Sequence, residues 1–345
     1  MALTKKEMVK KATAHQQVRP LPYRLGFEGD VAERLDAHYG SSAWRDLLDN
    51  AVRSVPGLPA LGWGTETGAM ITDAHGTTWR MDRRPVHLVD PAIKEPSLDG
   101  FAFPSMDVIF DDGYVSRALD AADEMRDYFL VAGIGFGLFE RTWALRGFTE
   151  ALADAAAEPE FYDALVEAIA NHQMQVIEQL LELPIDGIMF SDDWGYQHGV
   201  LLGPKRWRQF IKPRLKRMYA QVHKAGKLVL SHCCGSVVDI MPDIIEIGLD
   251  VIESVQPEAR GMNPYELKHQ YGQDITFWGG LGSQSTIPHG TPQEIKDEVA
   301  RLCLEMGKGG GYILGPAKGL QPETPTDNAA AVVESFLAQA GVGLA

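Results

Sequence analysis

Several helix starts in this chain follow one recurring pattern. At residues 263–266, 291–294 and 324–327, a capping Asn or Thr precedes a proline, and a carboxylate follows at the third helical position. The capping side chain satisfies a free backbone N–H, and proline at the first helical position sacrifices no hydrogen bond. Each of these helices follows an apolar, strand-like run, at spacings of about 25–45 residues. This alternation predicts a parallel sheet built from βα units.

The predicted strands number seven or eight, counted from residues 21–27 to residues 311–316. Polar residues or glycines lie at the carboxyl end of nearly every one of these strands. In a barrel, those ends converge on one pocket. We therefore predict an α/β fold with a single (β/α)8 TIM barrel over residues 1–345, in preference to a doubly wound sheet.

Two segments are predicted to lie outside the barrel repeat. Thr4 and Glu7 have the spacing of a capping box, which predicts a short helix before the first strand. Residues 58–96 are rich in Gly, Thr and Asp, and residues 69–81 read as a β-hairpin that turns at 75–76. We predict an N-terminal helical and hairpin elaboration, with residues 58–96 as an insertion or lid.

The charge and the cysteine content restrict the function and the location. The formal net charge of −15 argues against binding to nucleic acid or to an anionic membrane surface, and no basic stripe offsets it locally. No apolar run is long enough to span a bilayer or to form the core of a secretory leader. Three cysteines, two of them adjacent, do not form a disulfide framework, so the cytoplasm is the expected location.

Residues 227–236, which read Lys-Leu-Val-Leu-Ser-His-Cys-Cys-Gly-Ser, contain a candidate metal site. The apolar run at 228–230 predicts a buried strand, and alternation along it points His232 and Cys234 to one side and Cys233 to the other. Imidazole and thiolate are both zinc ligands. Two ligands do not complete a site, so a packed thiol beside a hydrogen-bonded histidine is the alternative interpretation.

Carboxylates near other strand ends are candidate catalytic groups. Asp192 and Asp193 are adjacent, so their side chains should point apart, and we favour Asp193 as the one that enters the pocket. Glu253 lies inside an otherwise apolar strand, so it should be paired, bound to a metal or raised in pKa. We predict catalytic roles for Asp193, His232 and Glu253. The structural alternatives are a helix-capping or turn pair at 192–193 and a hydrogen bond from Glu253 to arginine or backbone.

The same strand-end argument supplies candidates for substrate binding. Gly133, Gly135 and Gly137 lack the full dinucleotide fingerprint, which favours a tight turn where backbone approaches a ligand over a nucleotide site. The predicted substrate-binding residues are Tyr23, Arg24, Asp192, Gln197, Gln256, Gln284 and Lys318.

Over nearly its whole length the chain resembles the uroporphyrinogen decarboxylase-like superfamily, whose fold is the (β/α)8 barrel. The superfamily includes the decarboxylase and the cobalamin-dependent methyltransferases. The residues that carry the resemblance are Asp-Gly-Ile-Met-Phe-Ser-Asp-Asp-Trp-Gly at 186–195, Gly-Pro-Lys-Arg-Trp-Arg-Gln-Phe-Ile-Lys-Pro at 203–213, His-Cys-Cys-Gly at 232–235, Trp-Gly-Gly at 278–280, and Gly-Gly-Tyr-Ile-Leu-Gly-Pro at 310–316 followed by Pro-Glu-Thr-Pro at 322–325.

The resemblance is closer to the corrinoid-dependent methyltransferases than to the decarboxylase. The decarboxylase has an arginine-rich amino-terminal motif that grips many carboxylates, whereas residues 20–27 here contain one arginine, Arg24. The methyltransferases share His-x-Cys-Gly, which matches His232, Cys234 and Gly235. The resemblance implies a methyltransferase that moves a methyl group between a small methyl ether or amine and a separate corrinoid protein carrying cobalamin, and it suggests a homodimer.

The resemblance also implies zinc, with one departure. The related methyltransferases bind zinc through His-x-Cys and a second cysteine near the carboxyl end, where this chain has Ala317 and Lys318. Either another group completes the site, with Glu253 and Asp193 as candidates, or the site is free of metal. The alternatives kept open are decarboxylation of a porphyrinogen, decarboxylation of a smaller carboxylate held by Arg24 or Lys318, and a non-catalytic barrel that holds a corrinoid or tetrapyrrole.

Overall fold

The computed structural model of the protein describes residues 3–58, 69–82 and 86–343. In chain order, the strands are β1 Val52–Ser54, β2 Met70–Thr72, β3 Thr78–Arg80, β4 His87–Asp90, β5 Phe129–Ile134, β6 Gly187–Ser191, β7 Gly195–Tyr196, β8 Gly199–Val200, β9 Leu228–His232, β10 Val251–Val255, β11 Thr276–Leu281 and β12 Tyr312–Pro316. The helices are α1 Lys5–Thr13, α2 Val31–Tyr39, α3 Trp44–Leu47, α4 Met106–Ile109, α5 Tyr114–Glu124, α6 Leu138–Arg146, α7 Phe148–Ala157, α8 Pro159–Leu181, α9 Gly203–Arg206, α10 Lys212–Lys224, α11 Met241–Glu246, α12 Pro264–Tyr271, α13 Thr286–His289, α14 Pro292–Arg301 and α15 Thr326–Gln339.

Seven strands form one parallel sheet whose spatial order follows the chain, β1-β5-β6-β9-β10-β11-β12. Helices connect these strands and pack on the outer face of the sheet, as α10 does against β9 and α12 against β11. The predicted alternation of strand and helix is therefore confirmed. Because all seven strands run in the same direction, their carboxyl ends lie on one face of the molecule.

The eighth place in the barrel is taken by residues 21–27, which lie between β12 and β1. The N–H of Arg24 donates to the carbonyl of Leu314 at 3.0 Å, and the N–H of Ala51 donates to the carbonyl of Tyr23 at 2.8 Å. These bonds join the segment to a neighbour on each side. The sheet is thereby closed into the predicted (β/α)8 barrel.

The closing segment makes isolated bridges at Tyr23 and Phe27 in place of a continuous strand. Pro22 has no N–H to offer a neighbour, which interrupts the ladder. At Leu25 the side chain of Asn50 replaces a backbone partner: its Oδ1 accepts from the N–H at 2.8 Å, and its Nδ2 donates to the carbonyl at 2.9 Å. The predicted strand is present as an extended segment whose pairing is completed by one side chain.

The interior of the barrel is filled by inward-facing side chains of alternating strand residues. This cluster consists of Val9, Ala51, Val52, Phe129, Val131, Leu230, Val251, Trp278 and Ile313, with Met189 and Leu228 packed against it. Val9 belongs to α1, whose predicted capping box between Thr4 and Glu7 is present. Helix α1 therefore closes the end of the barrel opposite the carboxyl ends of the strands, and the remaining free space lies at those ends.

The predicted hairpin is formed by β2 and β3, and β4 adds a third antiparallel strand. The hairpin packs on α6, where the hydroxyl of Thr77 donates to the carbonyl of Ala144 at 2.9 Å. Residues 59–68 and 83–85 of the predicted insertion lie outside the described residues, so its role as a lid stays a prediction. None of the described helices is long and apolar enough to cross a membrane.

Two of the three predicted proline-containing caps are confirmed, and one is wrong. The side chain of Asn263 accepts from two backbone N–H groups of α12, and Thr291 forms a full capping box with Glu294. At the third site, α15 begins at Thr326 without a side-chain cap. The carbonyl of Thr324 accepts instead from Arg34 at 2.9 Å, so this residue joins α2 to the C-terminal helix.

Two predicted helices are interrupted by π-helical turns. Residues 204–225 divide into α9, the turn Trp207–Ile211 and α10, and residues 292–306 divide into α14 and the turn Leu302–Met306. Residues 237–247 begin as a 3-10 turn, Val238–Ile240, before α11. The break predicted near Pro159 is confirmed, because α7 ends at Ala157 and α8 starts at that proline.

We expect Asn50→Ala to lower the free energy of unfolding by about 2 kcal/mol, because two backbone groups of buried Leu25 lose their partner. Asn50→Asp should fall between the wild type and the alanine variant, since it keeps the acceptor and loses the donor. Urea unfolding followed by circular dichroism measures both changes. Replacement of the exposed Gln293 on α14 by alanine is the matched control. If Asn50→Ala is as stable as this control, the Asn50 side chain does not contribute to barrel closure.

Candidate active site

A cavity of about 380 Å³ opens at the carboxyl ends of the barrel strands. Its walls include the ends of β6, β9, β10 and β12 and the closing segment of the barrel. The lining residues are Arg24, Gly26, Phe27, Glu28, Met189, Ser191, His232, Glu253, Trp278, Pro316, Lys318 and Gly319. The cavity therefore lies where the barrel prediction placed the pocket.

The end of β9 presents His232 and Cys234 on the same side. Their Nε2 and Sγ atoms are 3.3 Å apart. Cys233 points the other way and is fully buried, and this burial raises the pKa of its thiol well above the usual range. Gly235 then turns the chain at φ +77°, in a place where a Cβ would lie 2.7 Å from backbone of Gly195. The predicted alternation is observed.

Asp193 completes a group of three possible metal ligands with His232 and Cys234. Its Oδ1 lies 3.7 Å from Nε2 of His232 and accepts from the N–H of Cys234 at 2.8 Å. One ligand atom from each residue lies within 4.8 Å of the other two. All three residues are partly exposed, and His232 lines the cavity, whereas Asp193 and Cys234 lie beside it and are not among its lining residues.

Glu253 faces the other nitrogen of the same imidazole. Its carboxylate is in direct hydrogen-bond contact with Nδ1 of His232. With Glu253 on the Nδ1 side of the ring, Nε2 is the nitrogen that faces Cys234 and Asp193. Burial by itself would lower the pKa of His232, but the charge of Glu253 and the hydrogen bonds to Cys234 and Glu253 raise it well above its usual value. The predicted pairing of Glu253 is thus with a histidine, whereas arginine or backbone was the expected alternative.

Asp192 lies outside the cavity, although it was predicted to bind substrate. It is 1% exposed, and its carboxylate accepts from the backbone N–H groups of Phe139 and Glu140 at 3.0 and 2.8 Å and from the indole of Trp194 at 2.6 Å. Burial raises the pKa of Asp192 to about 7, although the three hydrogen-bond donors favour the charged form and act in the opposite direction. Asp192 caps the N-terminus of α6 from the turn after β6, which fixes Asp193 next to it.

The position of the Asp192 side chain at the start of α6 also requires glycine at position 137. A Cβ at this position would lie 2.4 Å from Cβ and 2.6 Å from Cγ of Asp192. The tight turn predicted there is confirmed, but the group that approaches Gly137 most closely is the Asp192 side chain. Close approach of a ligand to Gly133 or Gly135 stays a prediction, and a Cβ at Gly133 would meet no protein atom within 4 Å.

Glu140 is a member of the site that the sequence analysis did not identify. It is the third residue of α6 and accepts a hydrogen bond from the backbone of Asp193. Burial, together with the charges of Asp192 and Asp193, raises the pKa of Glu140 to about 8. The sequence feature that could have identified Glu140 is an acidic residue in the first helical turn after a glycine-rich strand end, on the face where a barrel carries its active site.

The remaining predicted substrate-binding residues divide into three groups. Arg24 and Lys318 line the cavity, and the Arg24 guanidinium lies 5.8 Å from the ring centre of Trp278. Gln197 donates to Gln284 at 3.0 Å in an exposed contact, and neither glutamine belongs to the cavity lining. Tyr23 and Gln256 also lie outside the cavity lining, and both support neighbouring backbone: Tyr23 accepts from the N–H of Asp49 through its hydroxyl, and Gln256 accepts from the N–H of Gly235.

We expect Gly137→Ala to lower the free energy of unfolding by about 2 kcal/mol or more, because the added Cβ would overlap Asp192 and displace the turn that carries Asp193. Gly133→Ala is the matched control on the same strand-to-helix connection, since a Cβ there meets nothing within 4 Å. Thermal and urea unfolding of the two variants side by side measures the difference. Equal stability of the two alanine variants would show that Asp192 does not hold this turn.

The fold and the site define the protein as a (β/α)8 barrel with a histidine, a cysteine and several carboxylates gathered at the carboxyl ends of its strands. The chain belongs to the uroporphyrinogen decarboxylase (URO-D) family, whose family model matches residues 112–338, more than half of the chain.

Relatives with two different activities resemble this chain. A methylcobamide:CoM methyltransferase MtaA from Methanosarcina barkeri is 33% identical over 136 residues, which cover 39% of this chain and 36% of that protein. A second such methyltransferase from the same species is 32% identical over 177 residues, or 50% of this chain and 48% of that protein. A uroporphyrinogen decarboxylase from Thermus thermophilus is 24% identical over 295 residues, or 80% and 81%. The chain therefore spans half or less of the length of these two methyltransferases.

A solved structure described as a methyltransferase from Methanosarcina mazei has the same fold. It superposes with a TM-score of 0.73 and covers 97% of this chain and 98% of its own, at 21% sequence identity. This likeness confirms the predicted fold class.

Proposed function

We propose that this protein is a methyltransferase that moves a methyl group between a small methyl ether or amine and a separate corrinoid protein, with a zinc ion bound by Asp193, His232 and Cys234. The observation that carries the proposal is the grouping of these three ligand atoms in the barrel mouth. The similarity to two methylcobamide:CoM methyltransferases supports the choice of reaction.

The three residues fit zinc by chemistry and by spacing. Zinc binds imidazole nitrogen and carboxylate oxygen at about 2.0–2.2 Å and thiolate sulfur at about 2.3 Å, so tetrahedral ligand atoms lie roughly 3.3–3.6 Å apart. The separations from Nε2 of His232 are 3.3 Å to Cys234 and 3.7 Å to Asp193. Asp193 thus takes the ligand position that a second cysteine fills in the methyltransferases this chain resembles.

Glu253 is better assigned to orienting the histidine than to binding the metal. Zinc-bound histidines commonly donate their second N–H to a carboxylate, which fixes the ring and strengthens the ligand. Glu253 contacts Nδ1 of His232, on the side of the ring away from Cys234 and Asp193. Of the two third ligands considered from the sequence, this placement favours Asp193.

The charges around the site also favour a cation. In addition to burial, the charges of Asp192 and Asp193 raise the pKa of Glu140, and the charge of Asp193 raises the pKa of Asp192. Glu253 adds a fourth carboxyl group. A bound divalent ion would offset this concentration of negative charge. A zinc ion held by Asp193, His232 and Cys234 would supply Lewis acidity towards an ether oxygen or an amine of the substrate.

The cavity walls indicate how a small substrate would be held. Met189, Phe27 and Trp278 supply apolar surface, and Arg24 and Lys318 supply positive charge on the side formed by the barrel closure and the loop after β12. We place the corrinoid on a separate protein that docks over the open mouth of the barrel, next to His232 and the cavity.

A second candidate function is decarboxylation of a small carboxylate. The observation that favours it is the pair of cations in the cavity, Arg24 and Lys318, which would hold the carboxylate of a substrate. The similarity to uroporphyrinogen decarboxylases points the same way. Methyl transfer ranks first because decarboxylation would make no use of the group formed by Cys234, His232 and Asp193.

We expect the purified protein to contain about one zinc per chain, and Cys234→Ser, His232→Ala and Asp193→Ala to retain less than about a tenth of it. Glu253→Gln should weaken zinc binding by about 10-fold and keep the ion at saturation, since it removes an orienting group. Elemental analysis and competition with a chelating dye measure both effects. Cys303→Ser is the matched control, because this cysteine lies on a buried helical face outside the ligand group. Full zinc retention in Cys234→Ser would exclude the proposed ligand set.

We expect methyl transfer to free reduced cobalamin, which stands in for the corrinoid partner, from at least one member of a panel of methyl ethers and methylamines. The absorbance change of cobalamin on methylation reports turnover. His232→Ala and Cys234→Ser should lower kcat/KM by at least about 100-fold if they bind the ion that activates the leaving group. Unchanged turnover in both variants would contradict the proposed methyltransferase mechanism. Release of carbon dioxide from small carboxylates, with a raised KM in Arg24→Ala, would establish the decarboxylase instead.

A further inference from the structure

Ser254 lies next to the candidate metal centre in an unusual backbone conformation. Its φ is +75°, in the left-handed region that serine rarely adopts, and the residue is 1% exposed. Strained backbone of this kind persists where the surrounding structure enforces it, and it is concentrated at functional sites. The strained conformation therefore points to a function for the Ser254 side chain.

The strain arises from an irregularity in β10. Glu253 pairs with Trp278 on β11, and the next paired residue is Val255 with Gly279, so Ser254 is left out of the register. Such a bulge redirects the side chain of the extra residue. Regular alternation would point Ser254 away from the face that carries Glu253, and the bulge instead brings its hydroxyl to the metal-binding side.

Gly279 on β11 makes room for this bulge. It has φ +119°, and a Cβ there would lie 2.8 Å from the backbone nitrogen of Val255. The Trp-Gly-Gly sequence at 278–280 thus permits the backbone excursion at Ser254. The neighbouring strand is built to accept the bulge.

The Ser254 hydroxyl touches two groups. It donates to the carbonyl of Ala317 in the loop after β12, and its oxygen lies 3.6 Å from the sulfur of Cys234. A carbonyl can only accept, so the hydroxyl proton points to Ala317 while the Cys234 thiol can donate to the serine oxygen. Ser254 therefore links a candidate metal ligand to the loop that carries Lys318 of the cavity wall.

We propose that Ser254 is a positioning residue of the metal centre, which holds the Cys234 sulfur in place beside His232 and Asp193. This inference rests on the metal centre of the proposed function. When Cys234 binds a metal as a thiolate, it has no proton to donate, and the Ser254 hydroxyl is the neighbouring donor that can turn to the sulfur. Such outer partners orient metal ligands and tune their bonding.

Cobalt(II) titration of the full-length, metal-free protein tests the role of Ser254. Cobalt replaces zinc and reports thiolate ligation through its charge-transfer and visible absorption bands. We expect Ser254→Ala and Ser254→Gly to bind cobalt about 10- to 100-fold more weakly, and their bands at saturation to be shifted from those of the wild type. Ser254→Ala removes only the hydroxyl and keeps the backbone strain, whereas Ser254→Gly removes the whole side chain and relieves the strain, because glycine adopts positive φ freely.

Ser231→Ala is the matched control, because this buried serine on β9 faces outward towards Tyr219. It should keep the wild-type cobalt affinity and spectrum. If both Ser254 variants match the wild type in affinity and spectrum, the positioning role is overturned while the metal centre stands. If the wild type itself binds no cobalt, the metal centre and this inference both fall.

Discussion

Closure of the parallel sheet is the constraint on which the rest of the structure depends. A parallel sheet with an open edge would leave a row of unpaired backbone groups, and in a barrel the last strand must meet the first. Here residues 21–27 make that connection with a mixture of backbone hydrogen bonds and the Asn50 side chain. The same segment carries Arg24 into the cavity, so the element that closes the barrel also supplies part of its binding wall.

A second constraint acts at the carboxyl ends of the strands, where several carboxyl groups are gathered around one imidazole. Asp192 is buried and bound by backbone and indole donors, which fixes the turn that presents Asp193. Glu253 holds the opposite side of the His232 ring. The ligand group is thus held from two directions by residues that do not belong to it, which is the arrangement expected of a preorganised metal site.

This chain lacks the second zinc-binding cysteine of the methyltransferases it resembles, and the structure shows what lies in that part of the barrel. The loop after β12 has Ala317 where a cysteine was expected, and the Ala317 carbonyl is bound by the Ser254 hydroxyl. In the proposed site, the ligand in its place is Asp193, which comes from the turn after β6. A site of the same chemistry can therefore be assembled around His-x-Cys from different neighbouring strands, because all the strand ends of a barrel face one another.

The sequence by itself determined the strand and helix alternation, the barrel, the hairpin at 69–81 and the pairing of His232 with Cys234 on one face. These follow from periodicity, caps and turn residues, which act over a few neighbouring positions. The sequence left Asp193 and Glu253 open as the third candidate ligand, and only the tertiary structure brought Asp193 beside His232 and Cys234. It also showed that Asp192 caps α6, that Glu140 lies at the site and that Ser254 reaches Cys234. These contacts join residues far apart in the chain, and a one-residue bulge reverses the side on which a side chain lies, so local patterns carry no information about them.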